Sequence, residues 1–264
     1  MTSKDLIEVG SATAKGGFAN ERAIRDKFNN WKKDKEAQVW LQIMGYNIKE
    51  IESVEAVQIP PRGQKADVQL KIMITIGKII KVENLSLKKA NSDADYNQID
   101  KRWVDAYQKL WNFDDDVKLG LKLFTGEIKP TSKYVGNIKL RDKRRAFLDE
   151  LPTKLRNKII DFFRNNKILV VTDILKGRGS LSADWVLVTR YDKNTDTTKW
   201  ILKDINTVMN FFGEGEIRLS PRGSLYIGKI TMQRKGGDAG RPTGNMLQFK
   251  IKPCQLFELS QHTL

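Results

Sequence analysis

The stretch from Asp67 to Lys88 constrains the fold more than any other. Val68, Leu70, Ile72, Ile74 and Ile76 alternate with Gln69, Lys71, Met73 and Thr75, the period of a half-buried strand. Gly77-Lys78 breaks the run. Glycine at the first central position suits a two-residue type II′ turn, and Ile79 to Lys88 then returns as a second strand rich in β-branched residues. With Ile76 opposing Ile79, counting outward sets Gln69 against Ser86 and Asp67 against Lys88. Directly opposed residues share a face, with Cβ atoms roughly 5 Å apart.

A carboxylate and an ammonium placed in this way can hold a divalent cation on Asp67 and a charge-stabilising or proton-handling amine on Lys88. That is the minimum for metal-dependent phosphodiester hydrolysis. Taken alone it is more commonly the pattern of a cross-strand salt bridge at a hairpin base, and other features must decide between the two.

Composition narrows the choice. Forty-seven Lys and Arg against 32 Asp and Glu give a net charge of +15, which calls for a polyanionic partner, nucleic acid first. A membrane surface fits poorly, because no long apolar run is present and the cations are dispersed through patterned segments. The start, Met1 to Asp5, lacks the apolar core of a secretory signal, so a cytoplasmic protein is expected. Cys254 and His262 are the only cysteine and histidine. Intrachain disulfides, Cys/His zinc sites and histidine acid–base chemistry are thereby excluded. A metal must rest on oxygen ligands, which favours Mg²⁺ with Mn²⁺ as a substitute.

Along the chain, Ala23, Ile24, Phe28, Trp31, Ala37, Trp40, Leu41 and Met44 recur at helical spacing, as one helix or two abutting ones, with Asn20 as N-cap. Glu21 then falls in the first turn, where it serves the helix dipole or a metal site. A helix is predicted from Tyr96 through Trp111, with Trp103, Tyr107 and Trp111 facing the core. Lys139, Arg141, Lys143, Arg144 and Arg145 cluster ahead of a helix predicted at about Arg145–Phe163, as a solvated helix start or a phosphate contact. Ile168–Thr172 reads as a buried strand, Asp184–Arg190 and Lys199–Lys203 as further strands, and Asp204 as the cap of a helix through Phe212. Between them, Lys176-Gly177-Arg178-Gly179 interleaves cations with glycines that permit close approach to a phosphate. No repeat or linker is visible, so a single mixed α/β domain over 1–264 is the simplest organisation.

From Arg218 to Lys252 eight cations face one acid, Asp238. Ser224 to Lys235 is predicted as one strand with Tyr226, Ile230 and Met232 on one face and Lys229, Thr231, Gln233 and Lys235 on the other. Gln233, Arg234 and Lys235 have the side chains that pair with base edges in a major groove. Arg222, Ser224 and Thr231 join them as DNA-contact candidates, and Met246–Ile251 is the return strand. A solvated basic hairpin without sequence preference is the plainer alternative.

Longer strings carry more. The segments Gly10-Ser11-Ala12-Thr13-Ala14-Lys15-Gly16-Gly17-Phe18-Ala19-Asn20-Glu21, Asn97-Gln98-Ile99-Asp100-Lys101, Phe124-Thr125-Gly126-Glu127, Thr172 to Gly179, Gln233 to Asp238 and Asn245 to Lys250 closely resemble the HinP-type type II restriction endonucleases, in order over nearly the whole chain. The resemblance implies a restriction-endonuclease fold, a mixed α+β central sheet flanked by helices with a basic C-terminal β-ribbon. It implies a catalytic hairpin at about 66–89 and a DNA-recognition region at about 218–252. Asp67 matches the metal-binding aspartate and Lys88 the lysine of the nuclease motif, and the Leu87 carbonyl, water and substrate phosphate would join Asp67 on the metal, helped by Glu21. Ser86 stands where the family has glutamine, and Ala66 replaces the serine before the aspartate.

The resemblance further implies Mg²⁺-dependent cleavage of double-stranded DNA at a short GC-rich site such as GCGC, leaving 5′ overhangs. A cognate DNA methyltransferase would be a separate partner. Tyr96 matches the position of an aromatic that wedges into the minor groove, with Gln98 and Lys101 in contact nearby. Monomer, homodimer and association with a second subunit stay open. Because of Ser86, a non-catalytic or partner-dependent DNA-binding subunit is the alternative.

Overall fold

The computed structural model describes residues 17–59, 69–192, 195–237 and 240–260. The described strands, in chain order, are β1 (Ser53–Gln58), β2 (Leu70–Ile76), β3 (Ile79–Ala90), β4 (Asn97–Arg102), β5 (Trp185–Asp192), β6 (Thr197–Asp204), β7 (Ile217–Leu219), β8 (Leu225–Ile227), β9 (Ile230–Arg234) and β10 (Leu247–Ile251). They form two sheets, ordered β1-β2-β3-β5-β6 and β4-β10-β9-β8-β7. The chain divides into two compact units, one formed by residues up to 97, 175–209 and from 252 onward, the other by 98–174 and 210–251.

In the first unit the predicted hairpin is present. Its register runs from Ile76↔Ile79 to Leu70↔Leu85, and Gly77 takes φ +56°, the left-handed value that the first position of a II′ turn requires. Leu70, Ile72 and Ile74 are completely buried with Leu85, Phe28, Trp40 and Leu41 in one cluster. Burying each such aliphatic side chain contributes about 1.5–3 kcal/mol. β3 then continues past the hairpin and pairs in parallel with β5, from Leu85↔Trp185 to Ala90↔Arg190. The N-terminal helical region is two helices, residues 17–29 and Lys35–Ile43. Asp34 caps the second by accepting from the Ala37 N–H at 3.0 Å. Asn20 is not a cap: it lies inside the first helix, and its Oδ1 accepts from Thr189 Oγ1 at 3.1 Å. Asp204 does cap the helix Ile205–Gly213, accepting from the Thr207 N–H at 2.9 Å.

The second unit departs from expectation in several places. Residues 97–102 are strand β4, and the helix begins only at Val104. The spacing of Ile99, Trp103, Ala106 and Tyr107 reads straight through as helical. However, β4 is a polar strand whose place beside β10 comes from sheet pairing that local periodicity does not encode. Tyr107 and Trp111 are core residues, whereas Trp103 is only half-buried.

Residues 167–175 are a helix, not a strand. Val170, Val171, Ile174 and Leu175 are buried, while Ile168 is 85% exposed. That spacing is one face of a helix, and a short all-apolar run does not distinguish the two states by itself. The helix predicted from about Arg145 starts at Thr153. The single strand predicted over Ser224–Lys235 is a tight hairpin, β8 and β9, with Ile227 paired to Ile230. Gly228 turns it at φ +58°, where a Cβ would lie 2.4 Å from the Glu214 carbonyl oxygen.

A buried polar network ties this unit together. Asp173, 2% exposed, accepts from Trp111 Nε1 at 2.8 Å and lies 3.6 Å from Arg102 Nη1. Arg102 Nη2 also reaches Asp100 at 3.2 Å. Burial and the adjacent Asp100 carboxylate push the Tyr107 phenol well above its ordinary pKa.

Candidate active site

The segment Leu85–Ala90 of β3 lies between two neighbours that behave differently. On the β5 side pairing is continuous through Ala90. On the β2 side the regular ladder ends at Leu70↔Leu85. There the Gln69 N–H donates to Leu85 O at 3.0 Å, and the Gln69 side-chain Oε1 accepts from the Leu87 N–H at 2.6 Å. A side-chain amide thus replaces the backbone carbonyl that a continuing ladder would supply. Within a strand residue, N–H and C=O project to the same edge, so the Leu87 carbonyl also points away from β5. Alternation sets Ser86 and Lys88 on one face and Leu85 and Leu87 on the other. Ser86 is 1% exposed, Leu87 is buried and Lys88 is half-buried.

The helix over 17–29 brings in a carboxylate. Its Ile24 and Phe28 pack into the same cluster as Leu85 and Leu87, and Glu21, half-buried, accepts from Gln58 Nε2 at 3.4 Å. Burial raises the Glu21 pKa, opposed by the Gln58 amide and by the ammonium of Lys88, which is close enough to act on it. Glu21, Gln58 and Lys88 are therefore neighbours, although the first and last are 67 positions apart in sequence. Gln58 and Gln69 were not singled out by sequence reasoning. Each is an uncharged residue at a strand end, and only the tertiary contact marks it. Asp67 lies outside the described residues. Among the described residues no group of three or more His, Cys, Asp or Glu could hold a metal. The donors present in this region, the Glu21 carboxylate and the Leu87 carbonyl, are hard oxygen ligands of the kind that Mg²⁺ takes.

The DNA-contact candidates fall as follows. Tyr96 is 47% exposed, with Lys252 Nζ 5.1 Å from its ring centroid. Gln98 and Lys101 are exposed on β4. Lys176 is half-buried and Arg178 exposed, flanked by Gly177 at φ +79° and Gly179 at φ +69°. Arg222 is exposed, Ser224 is half-buried with its N–H on Ser220 Oγ at 3.0 Å, and Gln233, Arg234 and Lys235 are half-buried. Thr231 is only 8% exposed, paired with Lys250 and Tyr226 across its neighbouring strands.

The family model of the R.HinP1I restriction endonuclease matches residues 44–257. The chain belongs to the R.HinP1I restriction endonuclease family. It is a type II restriction endonuclease. The crystal structure of restriction endonuclease MspI in complex with its cognate DNA matches with a TM-score of 0.60 at 12% identity, over 88% of this chain and 87% of that one; at that identity the likeness speaks for the fold. No curated protein matches the chain. Among the described residues no helix is long and apolar enough to cross a membrane. The R.HinP1I match begins after the helix over 17–29, so Glu21 comes to Lys88 from outside the matched span.

In the basic segment before the Thr153 helix of this family member, Arg141 and Arg144 are held by carboxylates. Arg144 holds Asp142 through Nε at 2.9 Å and Nη2 at 3.0 Å. The Asp142 carboxyl falls from an ordinary 3.8 to about 2, chiefly through that Arg144 pair. A carboxyl depressed by folding contributes stability that is complete above its unfolded pKa and lost as pH falls through its folded one. Urea unfolding at stepped pH is therefore expected to show wild type losing more stability between about 3.8 and 2 than Asp142→Asn. Parallel losses would contradict this account.

Proposed function

We propose that this endonuclease hydrolyses phosphodiester bonds of double-stranded DNA at a short GC-rich site, GCGC or a related sequence, with Mg²⁺ as cofactor and Mn²⁺ as substitute, leaving 5′ overhangs. The observation that carries the reading is the convergence of Glu21 and Lys88 beside a strand edge from which the Leu87 carbonyl projects. Asp67, the Leu87 carbonyl and Glu21 would hold the cation. Bound there, it would polarise the scissile phosphate and lower the pKa of an attacking water.

The chain's own groups have separate tasks. Lys88 orients the water or neutralises charge developing on the phosphate. Gln69 keeps Leu87 in position by holding its N–H. Ser86 occupies the place of the family's glutamine, but its burial keeps it from reaching a solvent-facing cation. Tyr96 is the wedge: its exposed ring can enter the minor groove at a cost of a few kcal/mol of unstacking, offset by contacts the bend allows, and Gln98 and Lys101 bind beside it. Lys176 and Arg178 contact phosphates, and the ribbon carrying Arg222, Ser224, Gln233, Arg234 and Lys235 supplies recognition, whereas Thr231, 8% exposed, is too buried to read a base. A methyltransferase of the same specificity protects host DNA, and the protein acts in the cytoplasm.

The burial of Ser86 favours one second reading, a non-catalytic or partner-dependent DNA-binding subunit of the same fold. Incubating the purified chain and Mg²⁺ with methylated and unmethylated plasmid separates the two. Discrete bands from unmethylated DNA alone support the nuclease, and a gel shift without cutting supports the subunit. Asp67→Ala is expected to abolish cleavage while leaving specific binding intact. If that variant cuts at the wild-type rate, the catalytic centre lies elsewhere.

A further inference from the structure

Among the five cations of residues 139–145, two arginines are satisfied by carboxylates. Arg141 pairs with Asp149, and its Nε reaches Glu150 at 3.0 Å. Arg144 takes both oxygens of Asp142. Arg145 is different. Its side chain is only 16% exposed, and the nearest carboxylate oxygen, Asp142 Oδ2, is 3.7 Å away and already committed to Arg144. Its Nε is sealed from solvent without a hydrogen-bond acceptor among the described residues. The guanidinium rests over the Phe147 ring, 4.0 Å from its centroid, and near Phe124 at 5.7 Å. Burial and then the Arg234 guanidinium push its pKa down.

Arg234 is the second member of this cluster. Its Nε and Nη2 donate to one acceptor, Asn245 Oδ1, at 3.1 and 2.7 Å, and Asn245 Nδ2 donates to Gly126 O at 3.0 Å. Gly126, at φ +84°, is where these segments meet. A Cβ there would stand 2.7 Å from Arg144 O and 3.5 Å from both Arg145 Cβ and Asn245 Oδ1. Among the described residues, Arg234 therefore has a fixed guanidinium and a neutral partner. Strand alternation also separates it from its neighbour in sequence. Gln233 faces Gln248 across the ladder, and Arg234 faces Leu247, so the two project to opposite faces of β9.

We propose that Arg145 and Arg234 form a paired-guanidinium site for one phosphate of the DNA backbone, leaving Gln233 and Lys235 to the base edges. The inference rests on the nuclease reading above. A largely sealed guanidinium and a half-buried one, with only Asp142 near them and that carboxylate already held by Arg144, leave room for a full anion, and the guanidinium fork matches phosphate oxygens. Asn245 fixes one fork, and the Phe147 ring supports the other.

The test measures binding of the full chain, with Ca²⁺ in place of Mg²⁺, to a GCGC duplex and to a scrambled duplex over a range of salt. Arg145→Gln is expected to weaken both by a similar factor, about tenfold, and to reduce the slope of log affinity against log salt by about one. Arg145→Lys keeps the charge and should keep the slope. Arg145→Gln should melt no lower than wild type, since it removes a sealed charge. An unchanged slope and affinity, a loss confined to the GCGC duplex, or a large drop in melting temperature would each overturn the site. If wild type binds neither duplex, the nuclease reading itself falls and takes this inference with it.

Discussion

Lys88→Ala is expected to lower single-turnover cleavage of plasmid DNA by about 10²–10³-fold while changing duplex affinity only a few-fold. The ammonium lies on the Ser86 face of β3, beside Glu21, and the hydrophobic packing of this strand is carried by Leu85 and Leu87 on the opposite face. Under the proposed mechanism, removing it deletes charge near the reacting phosphate without opening a cavity. It also removes one of the two cations, the other being Arg22, that pull Glu21 down, so the Glu21 carboxyl should hold its proton to still higher pH. Lys88→Arg should not restore the rate, because a planar, permanently charged fork cannot replace a compact ammonium at a tight site. Cleavage assays paired with gel shifts separate chemistry from binding. Wild-type cutting by the alanine variant would remove Lys88 from the mechanism.

Asp173→Ala is expected to cost about 3–5 kcal/mol of stability, a drop in melting temperature of about 10 °C for a chain of this size. The carboxylate is 2% exposed, and its loss would strand the Trp111 indole N–H and leave Arg102 short of one of its two carboxylates. An unpaired buried donor or charge costs far more than the pair contributes when intact. Urea unfolding of purified wild type and variant measures it. A change under 1 kcal/mol would show that the network is dispensable. Asp173 sits in one of the strings that resemble the restriction endonucleases, and its role by this account is to hold the fold.

The hairpin was legible because its information is local. Alternating aliphatics, a glycine at the turn and β-branched residues fix register through Leu70↔Leu85 without help from elsewhere. The helix Ile205–Gly213 with its Asp204 cap and the β10 return strand were legible for the same reason. Where reading failed, tertiary contacts outvoted pattern. The apolar run at 167–175 became a helix with Ile168 left outside. Polar β4 took a place in a sheet next to β10. Thr231, expected on a reading face, is buried in the middle of one.

Within the site, Lys88, Glu21 and Leu87 were named from motif and charge, whereas Gln58 and Gln69 were not. A glutamine has no charge or periodicity to announce that its amide will end a ladder or hold a carboxylate.

By itself the sequence determined the chemistry open to this protein. With one histidine, one cysteine and a charge of +15, it argued for an oxygen-ligated metal and a polyanionic partner, and its ordered strings tie it to the restriction endonucleases. The tertiary structure alone decided which charges meet. Pairing between side chains far apart in sequence depends on strand ends, helix placement and competition for carboxylates. Glu21 finds Lys88 because a helix packs on β3, and Arg145 is left with Arg234 because Arg144 has already taken Asp142.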